Sequence, residues 1–334
     1  MKFLKRNESG QNTAVNVKPT PEKLTPTLEV QKKRGKRRRS ARNIRHGIFV
    51  LCATLLLTVF AIAFLMPIVL TVTNSFMSQV ELGANYGKIF SNVTGSKSFI
   101  ADKVNLKFIP DMVSFDQYAT VLFRSPEYLL KFWNSVILVV PIVVFQIIVA
   151  LGAAYCFARF NGKFRSLCFF VYVILMLMPY QVTLVPNYLV AEFFGILDTR
   201  WCIILPGIFS PFAVFILTKF MKRIPSAMIE AAKLDGAGEF QIFTKICVPL
   251  CSTTIYSVAI LVFIDYWNMV EQPIVMLENT ELHPLSVFLS KINTGETGLA
   301  FAVAVIYLIV PILFFLYCEE ELIEGIAYSG GIKG

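Results

Sequence analysis

The stretch Glu230-Ala231-Ala232-Lys233-Leu234-Asp235-Gly236, followed by Ile246-Cys247-Val248-Pro249, is a polar segment set between two strongly apolar ones. Its alanines favour a slim helix, Pro225 stands where a first helical turn can begin, and Gly236 supplies the left-handed turn that ends it. The pattern predicts a short helix, a sharp turn and a second helix lying outside a bilayer. Small residues let another protein approach such a unit closely, and Glu230 is available to a basic group on that partner. This is the chemistry of a docking element and not of a catalytic site.

The rest of the composition supports a membrane setting. The chain has 334 residues, of which 56% are hydrophobic and 30 are Phe, and its mean hydropathy is +0.64, too apolar for an ordinary water-soluble domain and long enough for several spans. The net charge of +9 is local. Lys32, Lys33, Arg34, Lys36, Arg37, Arg38, Arg39, Arg42 and Arg45 form a block of nine cations with no acid among them, and outside it 22 basic residues match 22 acidic ones. Placed just before the first apolar run, the block reads as an orientation signal and an anchor to anionic membrane lipids. No aromatic platform accompanies it, so no nucleic acid is expected as a partner. Cys52, Cys156, Cys168, Cys202, Cys247, Cys251 and Cys318 show no metal-ligand spacing, and neither a metal site nor a disulfide framework is expected.

Apolar runs over 48–72, 132–157, 167–190, 201–220, 253–277 and 299–317 predict six spans. The expected fold is therefore an all-α membrane protein of six transmembrane helices with one polar coupling loop over 219–252. Residues 1–46 read as a disordered basic extension and 47–334 as the transmembrane domain. Basic residues fix the orientation: the N-terminal block, then Arg159, Lys163 and Arg165, then Lys219, Lys222, Arg223, Lys233 and Lys245 all fall on one side, the cytoplasmic one. Both termini are expected there. The segment 73–131 reads as an irregular excursion on the other side, with Gly83, Gly87, Asn92, Gly95 and Ser96 marking turns.

Motifs along 48–334 resemble the permease subunits of binding-protein-dependent ABC importers of the maltose and multiple-sugar type. The residues that carry the likeness are Phe132-Trp133-Asn134-Ser135, Pro179, Pro186-Asn187-Tyr188, Gly195-Ile196-Leu197-Asp198-Thr199, Ile224-Pro225, Glu230 to Ala237, Pro249, Trp267-Asn268, Gly325 and Gly331-Ile332-Lys333-Gly334. Val248 departs from the leucine usual before that proline, and Glu319-Glu320-Glu321 from the basic or aromatic residues usual after the last span. The resemblance implies that the loop, through Glu230, Ala231, Ala232, Asp235, Gly236, Ile246 and Pro249, docks on an ATP-binding subunit. It implies as partners a second, similar permease, two ATP-binding cassette subunits and an extracytoplasmic solute-binding protein, all at a bacterial cytoplasmic membrane, with a carbohydrate as cargo. No phosphate-binding G-x-x-x-x-G-K-[ST] loop occurs in the chain. No cofactor is expected on this chain, and ATP and Mg belong to the partner ATPase subunits.

Polar and aromatic residues within the spans are costly and tend to face a bundle interior. Asn134, Tyr180, Gln181, Asn187, Tyr266, Trp267 and Asn268 are the candidate substrate-pathway residues, because hydroxyl-rich solutes need amide partners and aromatic faces. Gln146 and Asp265 share the first property. The opposing reading is that such groups join helices or mark the interface. His46 and His283 have no cysteine or carboxylate cluster nearby and read as surface residues. Three rival functions stand beside sugar import: a permease of the same class for a polyamine, amino acid or other small solute; an ATP-independent secondary transporter or channel, against which the missing span repeat counts; and a membrane scaffold that anchors the basic tail to a partner.

Overall fold

The structure, a computed structural model, describes residues 26–90, 106–291 and 297–330, with side-chain surroundings for 46–86, 106–291 and 298–319. It forms two compact units that divide between Met66 and Pro67. Helix α1 (Pro26–Asn74) runs through that division and contains the apolar stretch His46–Asn74. Residues 1–25 of the expected extension lie outside the described residues, and the rest of it, from Pro26, is helical and belongs to α1. Phe49, Ile68, Leu51 and Val59, spread around the helix, expose 71%, 45%, 67% and 56% of their surface. A helix apolar on all sides is tolerated only where hydrocarbon surrounds it.

The second unit contains α2 (Gln79–Phe90), α3 (Asp116–Ala119) running into a π turn over Thr120–Arg124, and the long helix α4 (Pro126–Arg159). There follow α5 (Lys163–Met176), α6 (Tyr180–Phe193), α7 (Trp201–Gly207) and α8 (Pro211–Met221). The polar loop contributes α9 (Ser226–Leu234), α10 (Glu239–Ile242), a π turn over Phe243–Cys247 and α11 (Val248–Leu250). Last come α12 (Ser252–Trp267), α13 (Glu271–Met276), α14 (Leu285–Ser290) and α15 (Thr297–Gly330).

Among the described residues, four segments are long and apolar enough to cross a bilayer: His46–Asn74, Pro126–Arg159, Trp201–Met221 and Gly298–Glu319. The count rises to six only if two bent pairs each make one span. The expected span 167–190 is one of these pairs, since α5 and α6 meet at 108°. Pro179 is the physical reason, because it lacks an N–H and pushes Met178 away from helical geometry. The expected span 253–277 also changes: α12 ends at Trp267 and α13 begins at Glu271. There Asn268 Nδ2 donates to the Ile264 carbonyl at 2.8 Å, using a side chain to satisfy a helix-end acceptor.

Helix α4 runs through both halves of the core. At one end Leu138, Val139 and Ile142 pack with Cys202 and Ile203 of α7, Phe263 and Trp267 of α12, and Ala302, Val303 and Tyr307 of α15. At the other, Ala150 and Ala154 pack with Ala213, Leu217 and Met221 of α8 and with Val258 of α12. Small residues let these backbones approach closely in a setting where lipid gives no hydrophobic drive between helices. Gly207 is another such place, since a Cβ there would meet the Ile142 side chain at 3.1 Å.

The segment expected to be an irregular excursion is partly ordered. Gly83 and Gly87 lie inside α2, while Asn92, Gly95 and Ser96 lie outside the described residues. Met77, Leu82 and Tyr86 form a small core against Phe301, and Met77 pairs with Val113 in an antiparallel bridge. The Asp111 backbone N–H donates to Glu81 at 2.8 Å, which, with Lys107 beside it, holds the Glu81 carboxyl below the ordinary carboxylate value.

Trp267, one of the candidate pathway residues, is 1% exposed and stacks on both Phe263 and Tyr307. Its Nε1 donates to the Tyr307 carbonyl at 3.3 Å, and the Tyr307 hydroxyl donates back to the Trp267 carbonyl. Trp267→Ala is expected to cost about 3–5 kcal/mol, measured as a lowered unfolding midpoint of the purified protein in detergent.

Candidate functional site

The polar loop is held by the last turns of α4. Arg159 Nη2 donates to the carbonyls of Met221 at 3.0 Å and Ile224 at 3.3 Å, capping the end of α8 just before the loop helix begins. On the far side of that helix, the Tyr155 hydroxyl donates to Glu239 Oε2 at 2.5 Å. Lys233 Nζ lies 2.6 Å from Glu239 Oε1, tying the end of α9 to the start of α10. This ammonium, then the tyrosine hydroxyl, holds the Glu239 carboxyl below its ordinary value. The turn between the two helices places Gly236 at φ +82°, in the left-handed region that favours glycine.

Burial divides the loop into two faces. Ile229 and Ile242 are 7% and 0% exposed and join the core beside Cys247 and Cys251. Glu230 and Ala231 are exposed, together with Met228 at 44%, Leu234 at 89% and Phe240 at 77%. One side of the unit is fixed to the bundle, and the other presents apolar groups beside the carboxylates of Glu230 and Asp235.

A second feature lies at the other end of α12. A cavity of about 500 Å³ is lined by Tyr180, Asp265, Tyr266, Asn268, Glu271 and Gln272 among others. It sits where the break between α5 and α6 meets the end of α12. Gln181 Nε2 donates to Glu271 Oε2 at 3.2 Å, which joins α6 to α13 at its rim. The Tyr180 hydroxyl and Gln272 Oε1 are buried with no hydrogen-bond partner among the described residues. Hydroxyl, amide and carboxylate groups beside two tyrosine faces are suited to a solute that offers both hydroxyls and C–H surface.

Residues 146–318, just over half of the chain, match the family described as binding-protein-dependent transport system inner membrane component. The chain belongs to that family. It is 25% identical over 268 residues to the arabinooligosaccharides transport system permease protein AraQ of Halalkalibacterium halodurans, covering 79% of this chain and 96% of that protein. It is 34% identical over 223 residues to the osmoprotective compounds uptake permease protein GgtD of Synechocystis, covering 65% of this chain and 74% of that one. Among solved structures, a bacterial ABC transporter involved in the import of the acidic polysaccharide alginate has a chain similar to it in fold, with a TM-score of 0.67 at 22% identity, over 82% of this chain and 96% of that one. The chain is thus a permease subunit of an ABC importer, working with partner ATPase subunits, and not itself an enzyme.

Within this permease component the sequence-derived candidates fall into distinct places. Glu230, Ala231, Asp235 and Gly236 lie together on the exposed side of the loop, Ala232 is half-buried, and Ile246 and Pro249 belong to its second arm. Tyr180, Tyr266 and Asn268 line the cavity and Gln181 stands at its rim. Asn187 is half-buried on α6 and does not line the cavity. Trp267 is core. Asn134 is 4% exposed and fully engaged: its Nδ2 donates to the carbonyls of Glu281 at 2.6 Å and His283 at 3.2 Å, and its Oδ1 accepts from Arg200 Nη2 at 2.8 Å. Its surroundings make it a clamp on the 279–283 segment. His283, expected at the surface, is 7% exposed, with Nε2 3.0 Å from the Leu277 carbonyl.

Sequence reasoning missed Tyr155, Glu239, Glu271 and Gln272. Tyr155 stands four residues before the basic end of α4, on the same helix face as Arg159, and that spacing was the available signal. Glu271 and Gln272 were hidden because 253–277 read as one continuous span. Tyr155→Phe removes one hydrogen bond worth about 1 kcal/mol. Trypsin cleavage after Lys233 is therefore expected to accelerate about fivefold in the purified protein, with Glu239→Gln giving the same direction of change.

Proposed function

We propose that this permease subunit imports a carbohydrate delivered by an extracytoplasmic binding protein, and that the loop around α9 receives the motion of an ATP-binding subunit. The observation that carries the coupling reading is the outward face of the loop. Leu234 and Phe240 are 89% and 77% exposed at the ends of a unit whose opposite face, Ile229 and Ile242, is fixed in the core. On a loop that leaves the bilayer, apolar groups so exposed need a protein to cover them. Glu230 at their centre offers a charged hydrogen bond to a basic group on that partner. Ala231, Ala232, Asp235 and Gly236 keep the unit slim, and Ile246 and Pro249 carry its second arm back toward α12.

In this reading ATP and Mg are held by the two ATP-binding subunits, and a second, similar permease completes the pathway. The N- and C-termini and the loop face the cytoplasm, on the side where the basic residues collect. Closure of the nucleotide sandwich draws the loops of the two permeases together. Because Arg159 and Tyr155 tie the loop to α4, the displacement enters the bundle through that span and shifts the cavity between outward and inward access. Replacement of Glu230 by Lys together with Leu234 by Asp is expected to lower co-purification of the ATP-binding subunit and solute uptake by at least about tenfold. Unchanged values of both would remove the coupling assignment. Gly236→Val should give an intermediate loss, since a β-branched residue at this φ adds about 1–2 kcal/mol of strain.

The carbohydrate reading draws on the named cargo of the arabinooligosaccharide relative and on the tyrosine and amide lining of the cavity. A second reading, an amine-bearing solute such as a polyamine, is favoured by one observation, the pair Asp265 and Glu271 in that lining. The two are separated by ATPase stimulation in the assembled transporter. A neutral oligosaccharide on its binding protein should stimulate hydrolysis, and Asp265→Asn should reduce uptake by no more than about tenfold, the loss of a hydrogen bond to a hydroxyl. Stimulation by a polyamine alone, abolished by Asp265→Asn, would replace the first reading with the second.

A further inference from the structure

The ends of α5 and α8 nearest the polar loop carry a cluster of cations that neither the coupling element nor the cavity uses. Phe169 of α5 and Phe215 of α8 stack with their planes 14° apart and centroids 6.1 Å apart. Lys222 Nζ stands 5.1 Å from the Phe169 ring centre, and Lys219 Nζ stands 5.4 Å from that of Phe215. Two ammonium groups thus sit over one aromatic platform. Arg165, one helical turn before Phe169, donates from Nη1 to the Phe157 carbonyl at 2.6 Å, while its Nε is buried without a partner among the described residues.

These cations lie close enough to oppose one another. Burial, then Arg165 and Lys219, holds the Lys222 ammonium below the ordinary lysine value. Among the described residues no carboxylate lies within 4.0 Å of Arg165, Lys219 or Lys222, and the acid-base pairs there involve other lysines. Like charges gathered without a counter-charge are unfavourable unless an anion joins them. We infer that Arg165, Lys219 and Lys222, above the Phe169 and Phe215 rings, form a binding site for the phosphate of one anionic phospholipid.

The neighbouring surface suits a lipid. Phe164, Leu167 and Phe170 on the same part of α5 are 80%, 58% and 60% exposed. A ligand meeting both features has an anionic head and an apolar tail, and the span ends where headgroups lie. The site rests on the orientation proposed above, because the cytoplasmic leaflet is the one rich in anionic lipid.

The test is native mass spectrometry of the intact transporter, purified in detergent and titrated with phosphatidylglycerol, phosphatidylcholine or inorganic phosphate. Wild type is expected to retain one more phosphatidylglycerol per copy of this chain than Lys219→Gln/Lys222→Gln, whose affinity falls about tenfold. The cationic block before the first span contributes equally to both proteins. Lys219→Arg/Lys222→Arg keeps the charge and should keep the lipid, which separates loss of the site from loss of the fold. Equal phosphatidylglycerol retention by wild type and the Gln variant overturns the site, as does equal retention of phosphatidylcholine or loss of lipid from the Arg variant. Displacement of the lipid by millimolar phosphate assigns the site to the free ion, and loss of the ATP-binding subunit in place of lipid assigns it to a protein contact; both overturn the lipid site. Sidedness is read independently, by trypsin cleavage after Lys233 in right-side-out and inverted vesicles, so an error in the proposed orientation is visible without reference to lipid retention.

Discussion

The attachment of the polar loop to the last turns of α4 is the constraint on which the rest depends. A nine-residue helix has no stability of its own in water, so α9 is helical because the bundle holds it. Burial of Ile229 and Ile242 contributes about 1.5–3 kcal/mol each. Apolar burial, however, is non-directional and leaves the helix free to rock about that contact. Direction comes from the polar groups at its two ends. Arg159 fixes the chain just before α9 by taking the carbonyls of Met221 and Ile224, and Tyr155 fixes it just after, through Glu239 and Lys233. A force applied to the exposed face therefore moves α4 as well, and α4 runs through both halves of the core.

A second constraint is set by the bilayer, where each backbone N–H and C=O needs a partner from the protein. Breaks in the spans are tolerated only where side chains or neighbouring segments supply one. The turn after α6 shows how: Asp198, at φ +57°, donates its N–H to the Met276 carbonyl at 3.1 Å and accepts the Asn279 N–H on Oδ1 at 2.8 Å. Asn134 then holds the next carbonyls, those of Glu281 and His283, and Arg200 fixes the Asn134 side chain by donating to its Oδ1. A strip of irregular chain is thus satisfied by α4 and by the α6 to α7 turn. Without these contacts the segment between α13 and α14 would leave several polar groups unpaired.

Much of this was legible in the residues. The hydropathy runs gave an all-α membrane bundle and a polar loop between two of its apolar segments, because that signal is local in sequence. Gly236 and Pro225 bounded α9 correctly for the same reason. The breaks were less legible. Pro179 marks one, yet Pro67 and Pro141 lie inside α1 and α4 without interrupting them, so proline alone does not distinguish a kink from a stop. The end of α12 carries no proline at all before Pro273. Roles of polar residues divided in the same way: Tyr180 and Asn268 reach the cavity, whereas Asn134 and Trp267, equally polar or aromatic in the sequence, are consumed by long-range bonds to residues 147 positions and 40 positions away. Nothing local encodes such partners.

The geometry of α12 gives the bundle its working logic. Its first residues follow Cys251, which is packed in the core that anchors the loop, and its last turn carries Ile264, Asp265 and Tyr266 into the cavity lining. Sixteen residues at 1.5 Å each make a rod about 24 Å long. Val258 and Val262 fasten its middle to the loop-side core, while Phe263 and Trp267 fasten its end to the other half. A rod held this way cannot absorb a displacement by bending near its ends. In the proposed coupling, motion of the loop appears at the cavity as a shift of Asp265 and Tyr266 relative to α6, whose Tyr180 and Gln181 sit across the break at Pro179. In that proposal the break at Pro179 is what frees the shift, since a continuous third span would lock α6 to α5 and hold the cavity in a single shape.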